Sequence, residues 1–99
     1  MPVEDWLDRR TSQAPPALRA RVREYARAGS GDSLSAVLAS AGRSALDRVL
    51  AHAGDRSAAL DLLAADALIT LALRAQAEDA PERLEEFATA LLRISRHHA

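Results

Sequence analysis

Few side chains in this sequence have the type and spacing to do chemistry, and the first of them is Asp66. It sits inside the segment SAALDLLAADALITLALRAQA, residues 57–77. At helical spacing its neighbours are Leu62 (i−4), Ile69 (i+3) and Leu73 (i+7), with Thr70 the only polar group one turn away. A carboxylate on such an apolar stripe must find a partner or take up a proton, because an unpaired buried charge is costly. The expected partner is an arginine from another helix or from another subunit. No second acid, histidine or nucleophile stands beside Asp66 at helical spacing, so acid–base chemistry there lacks its second group. A structural, buried or half-buried ion pair is the expectation, with simple exposure at the edge of the bundle as the alternative.

The second candidate is a run of arginines. From Arg9 to Arg27 the chain carries Arg9, Arg10, Arg19, Arg21, Arg23 and Arg27 against a single acid, Glu24. Arg19, Arg21, Arg23 and Arg27 fall on the predicted helix 15–28, where they form a basic face around the apolar stripe Leu18, Val22 and Tyr25. Such a face can contact phosphate or nucleic acid, yet no aromatic residues are interleaved for base stacking. Pairing with acids elsewhere in the chain is therefore the favoured reading, and nucleic-acid regulation the minority one.

Other reactive types lead nowhere by spacing. His97 and His98 are adjacent and point about 100° apart on a helix, so they cannot form an i, i+4 metal pair. His52 reads as a helix-end cation. Trp6 is the single tryptophan and reads as the anchor of a short first helix, with a binding-site role as the sharper alternative. Cysteine is absent, which excludes disulfides and thiolate sites. There is no phosphate-binding glycine loop, HExxH, GxSxG or paired-carboxylate cluster. No metal and no cofactor is implied. The segment LLAADALITLAL (62–73) resembles the LLAGDALL-type helix of trans-polyprenyl diphosphate synthases. Those enzymes hold magnesium diphosphate with two Asp-rich motifs, and no two Asp residues are adjacent here, so the resemblance is one of composition.

The elements that must position these residues are all helical. Residues 57–77 have the length, the Ala and Leu content and the freedom from Gly and Pro of a helix. Leu60, Leu63, Ala64, Ala67 and Leu71 share one face, with Leu62, Ile69 and Leu73 roughly opposite. A helix apolar on two sides is buried on two sides, within its own chain or against another. Asp61, Asp66 and Arg74 interrupt the run, so it does not read as a membrane span.

Around it, Val3, Trp6 and Leu7 mark a short first helix, and Pro15, Pro16 and Gly29 bound the second. Asp32 or Ser33 can cap a third helix whose apolar face slips at Gly42, which predicts a kink or break there. A DNA-reading turn at Gly42 is disfavoured by Arg43 and Arg48, which occupy positions that pattern leaves apolar. Asp79, Pro81 and Glu82 open a last helix with the stripe Leu84, Phe87, Ala88, Leu91, Ile94 and Ser95. Its acids lie early and its basic residues late, as the helix dipole prefers.

These elements predict a single all-α domain, residues 1–99, in a bundle of four to five helices around the central helix. Apolar residues are 48% of the chain, but almost half of them are alanine, so the core must be thin. That favours burying more surface against another copy. The net charge of −1 points to neither nucleic acid nor a membrane. The opening residues MPVEDWLDRR lack an apolar signal core, making a cytoplasmic location the expectation. Basic residues are all arginine, which fits the base composition of a GC-rich bacterial genome. The functional expectation is a non-enzymatic interaction module that forms a homodimer, or docks onto a partner protein, through the 57–77 helix. Asp66, Leu62, Ile69, Leu73 and Trp6 are its candidate contacts. A small apolar ligand held between helices is the alternative, and needs a cavity of roughly 300 Å³ or more lined by Leu and Ile beside Asp66.

Overall fold

A computed structural model describes the backbone of residues 3–97 and the side chains of residues 3–93. Five α-helices follow one another: α1 Val3–Arg10, α2 Pro16–Ala28, α3 Leu34–Ala51, α4 Arg56–Asp79 and α5 Leu84–His97, with a 3₁₀ turn at Pro81–Arg83 before α5. No strand occurs among the described residues, and the expected all-α bundle is what forms. No described helix is long and apolar enough to cross a membrane.

The frame is an antiparallel hairpin of α3 and α4, the most extensive helix pair of the fold. Its turn contains Gly54, whose φ of 92° is a left-handed conformation that suits glycine. Ser33 caps α3 by accepting a hydrogen bond from the Ala36 N–H at 3.1 Å. At the far end of the hairpin, Ser35 donates to Gln76 Oε1 at 3.0 Å, and Gln76 donates in turn to the Ala80 carbonyl at 3.1 Å. That chain of bonds fixes the start of α3 to the end of α4 and satisfies the buried Ser35 hydroxyl.

The expected break at Gly42 does not occur. α3 runs through it as one helix, and Gly42 is buried. Its role is close approach: a Cβ at this position would lie 2.9 Å from Ile69 Cγ1 and 3.4 Å from the Ile69 nitrogen. The slip of the apolar face at Gly42 thus falls within one continuous helix, at the point of its close contact with α4. Most of the buried apolar residues are alanine, including Ala41 and Ala45 on α3 and Ala58, Ala64, Ala65, Ala72 and Ala75 on α4. Small side chains let two helices approach closely, and they fill little volume once there.

The remaining helices close this core from one side. Trp6 and Leu7 of α1, with Val22 and Ala26 of α2, are buried against the hairpin. The Trp6 anchor is therefore confirmed and is too deeply buried, at 4% exposure, to serve as a surface contact. Arg10 stacks over its ring, 4.7 Å from the centroid, and its Nη2 donates to both carboxylate oxygens of Glu78 at 2.9 Å. These contacts hold the Glu78 carboxyl below its usual range, the Arg10 hydrogen bond contributing most. Among its described side chains α5 adds no fully buried residue: Leu84, Phe87, Ala88 and Leu91 of its expected inner stripe are half-buried and Leu92 is exposed, while the side chains of Ile94 and Ser95 lie outside the described residues.

Substituting Gly42 tests the close contact. Gly42→Val is expected to lower stability by about 1–3 kcal/mol in urea unfolding, because overpacking outweighs any gain in helix propensity. A gain in stability would show that the α3–α4 contact is looser than described.

Candidate functional site

The central helix divides its residues in a way the leucine pattern does not suggest. Its buried set is Ala58, Asp61, Ala64, Ala65, Leu68, Leu71, Ala72 and Ala75, so the core face is mainly an alanine stripe. Leu62 and Leu63 are 51% and 55% exposed, and Leu60, Ile69 and Leu73 are half-buried. Asp66 is exposed, so the expected burial of this acid beside an arginine of the same chain is not found. None of the ion pairs of the described residues involves it. The reason is rotational: α3 approaches the alanine side of α4 and leaves the Leu62–Asp66 side outside.

The buried acid is Asp61 instead, 3% exposed. Its Oδ1 accepts a hydrogen bond from Arg21 Nη1 at 2.5 Å and another from the Tyr25 hydroxyl at 2.9 Å. Burial is the largest single influence on its carboxyl and pushes it up. The hydrogen bonds from Tyr25 and Arg21, with the charges of Arg21 and Arg48, together outweigh burial, and the carboxyl ends below its ordinary value. Tyr25 moves up, through burial first and then its bond to the carboxylate. Arg21 is raised by the same bond, so the trio is a fixed ion pair with a neutral phenol. The sequence signal for Asp61 was its place among Ala58, Ala64, Ala65 and Leu68, at i−3, i+3, i+4 and i+7. Weighting leucine above alanine hides it.

The basic face of α2 is taken up by acids. Arg27 binds Glu4, Arg23 binds Asp8, Arg19 lies 3.9 Å from Asp8, and Arg21 holds Asp61 and also lies 3.4 Å from Glu24. Glu4 and Asp8 are one turn apart on α1, so α1 lies along α2 as a ladder of opposite charges. The four arginines are brought together as scaffold rather than as a bare cationic surface. The cleft between α2 and α3, about 410 Å³, is lined by Arg21, Glu24, Tyr25, Ser44 and Arg48. It is polar and does not include Asp66, so it lacks the leucine and isoleucine lining expected of an apolar ligand site.

Among the described residues no group of three or more metal-ligating side chains comes together. His52 is exposed at the end of α3, and the side chains of His97 and His98 lie outside the described residues. Comparison with known protein families, with curated proteins and with solved structures finds no match to this chain.

What the geometry offers is an uncovered apolar surface. Leu50 on α3 is 58% exposed and Leu62 on α4 51%. Gly42 meets Ile69 in an antiparallel hairpin. Leu50 lies two turns beyond Gly42 and Leu62 two turns before Ile69, so both are carried to the same end and the same flank.

Two aspartates therefore have opposite expected behaviour. Asp61→Ala is expected to cost about 2–4 kcal/mol, because Arg21 and Tyr25 lose a buried partner. Asp66→Ala should stay within about 0.5 kcal/mol, as for an ordinary surface change. Paired thermal and urea unfolding of the two variants checks this, and equal losses would contradict the placement of both residues. The pH dependence follows from the depressed Asp61 carboxyl: its stabilisation is complete above the ordinary value near 3.8 and is lost as pH falls through the lower folded value. Asp61→Asn should remove that part of the acid-induced loss, measurable as a flatter stability curve below about pH 4.

Proposed function

We propose that this chain is a small intracellular interaction module that works without catalysis, by self-association through the exposed side of its central helix. The observation that carries the reading is apolar surface left outside the fold. Leu50 on α3 and Leu62 on α4 are more than half exposed at one end and one flank of the hairpin, and α4 also supplies half of the buried apolar residues.

A homodimer accounts for the composition as well. An alanine-rich stripe makes a thin core, and the larger leucines turned away from it gain from burial only when a second surface arrives. Asp66 then has a use: within a contact formed by Leu62, Ile69 and Leu73 it demands a cation from the partner and so selects orientation. A cytoplasmic location belongs to the same proposal, and the all-arginine basic set supports a GC-rich bacterial source. The nucleic-acid reading loses its support because the arginines of α2 are engaged by Glu4, Asp8 and Asp61.

Size-exclusion chromatography with light scattering tests the reading at about 100 μM protein, where even a modest interface is populated. The expected result is a dimer that Leu50→Ser combined with Leu62→Ser converts to monomer without loss of helical content. A wild-type protein that remains monomeric at that concentration rejects self-association.

A further inference from the structure

The polar cleft of about 410 Å³ between α2 and α3 lies apart from the apolar flank. At 100° per residue, Ser44 and Arg48 stand roughly 120° and 160° round α3 from Leu50. One wall of the cleft carries Arg21, Glu24 and Tyr25 of α2, and the other Ser44 and Arg48 of α3. Ser44 and Arg48 are one turn apart, so a hydroxyl and a guanidinium share one side of their helix. The volume falls in the span of roughly 300–1,000 Å³ typical of small-molecule sites.

The two cations of the cleft differ. Arg21 is bound to the buried Asp61, which also takes the Tyr25 hydroxyl, so the α2 wall is held in place from beneath. Arg48 is exposed, and none of the ion pairs of the described residues involves it. Its charge acts on both Asp61 and Tyr25, which puts it over the same cluster. Glu24, the one acid of the lining, is largely exposed and lies 3.4 Å from Arg21 on its own helix. We infer that this cleft binds a small molecule by a phosphate or carboxylate head, with the Arg48 guanidinium and the Ser44 hydroxyl as the donors. Two N–H groups of a guanidinium match two oxygens of such a head, and the hydroxyl supplies a third bond. Arg21, fixed across the cleft, adds positive charge that needs no rearrangement to act.

Amide NMR titration with inorganic phosphate and, separately, with acetate tests the site, with ionic strength held constant by chloride so that screening does not change. The expected result is saturable shifts centred on Tyr25, Ser44 and Arg48, with a dissociation constant of about 1 mM or lower for at least one of the two anions. The tighter anion identifies the head group as phosphate or carboxylate. Ser44 and Arg48 are both exposed, so Ser44→Ala and Arg48→Gln should keep wild-type helicity. Arg48→Gln is expected to weaken binding at least about tenfold and Ser44→Ala about threefold, as for loss of a charged and a neutral donor. Shifts that do not saturate, that chloride alone reproduces, or that persist with unchanged affinity in either variant overturn the site.

Discussion

Everything in this fold depends on how closely α3 and α4 approach each other. Gly42 has room for nothing more than hydrogen against Ile69, and the surrounding buried positions are largely alanine. Two helices in such contact gain dispersion along their whole length but enclose little volume. The large side chains that complete the core must then come from outside the hairpin, as Trp6, Leu7 and Val22, and from Leu38, Leu68 and Leu71 within it. The same geometry turns Leu50, Leu62 and Leu63 outward. A thin core and an apolar exterior are thus two consequences of one constraint.

Charge organises the rest. α1 is too short to be stable as an isolated helix, and it is held by burial of Trp6 and Leu7 and by the ladder of Glu4 and Asp8 along the arginines of α2. Much of that ladder is solvent-exposed and supplies orientation more than stability. Asp61 differs because it is buried. Its two hydrogen bonds tie α2 to the middle of the fold, and removing the carboxylate would strand a cation and a phenol beside it. An acidic residue at the centre of the core face is tolerated because α2 brings both donors to the same oxygen.

Much of this was legible in the sequence. A bundle of four to five helices, a cap at Asp32 or Ser33, the Trp6 anchor and the pairing of α2's arginines with acids elsewhere follow from periodicity, turn residues and charge balance. Two readings failed for a common reason. Gly42 was expected to kink or break α3 because the apolar face slips there, whereas the helix runs on and the missing side chain serves a neighbouring helix that no local pattern reveals. Asp66 was expected to be buried because it lies among leucines, whereas the buried acid is Asp61, which lies among alanines. A hydropathy pattern ranks faces by side-chain size, but a closely packed pair of helices buries its small residues first.

The sequence by itself determined that the chain is helical, roughly where most of the helices lie, and the shortage of core volume, since these depend on local propensity, capping and composition. Only the tertiary structure decided which side of α4 is inside. Both sides are apolar enough to be buried, and a single chain supplies one hairpin partner, so the choice falls to the side on which backbones come closest. Asp61 entered the core with that side, and Leu62 and Asp66 stayed on the other.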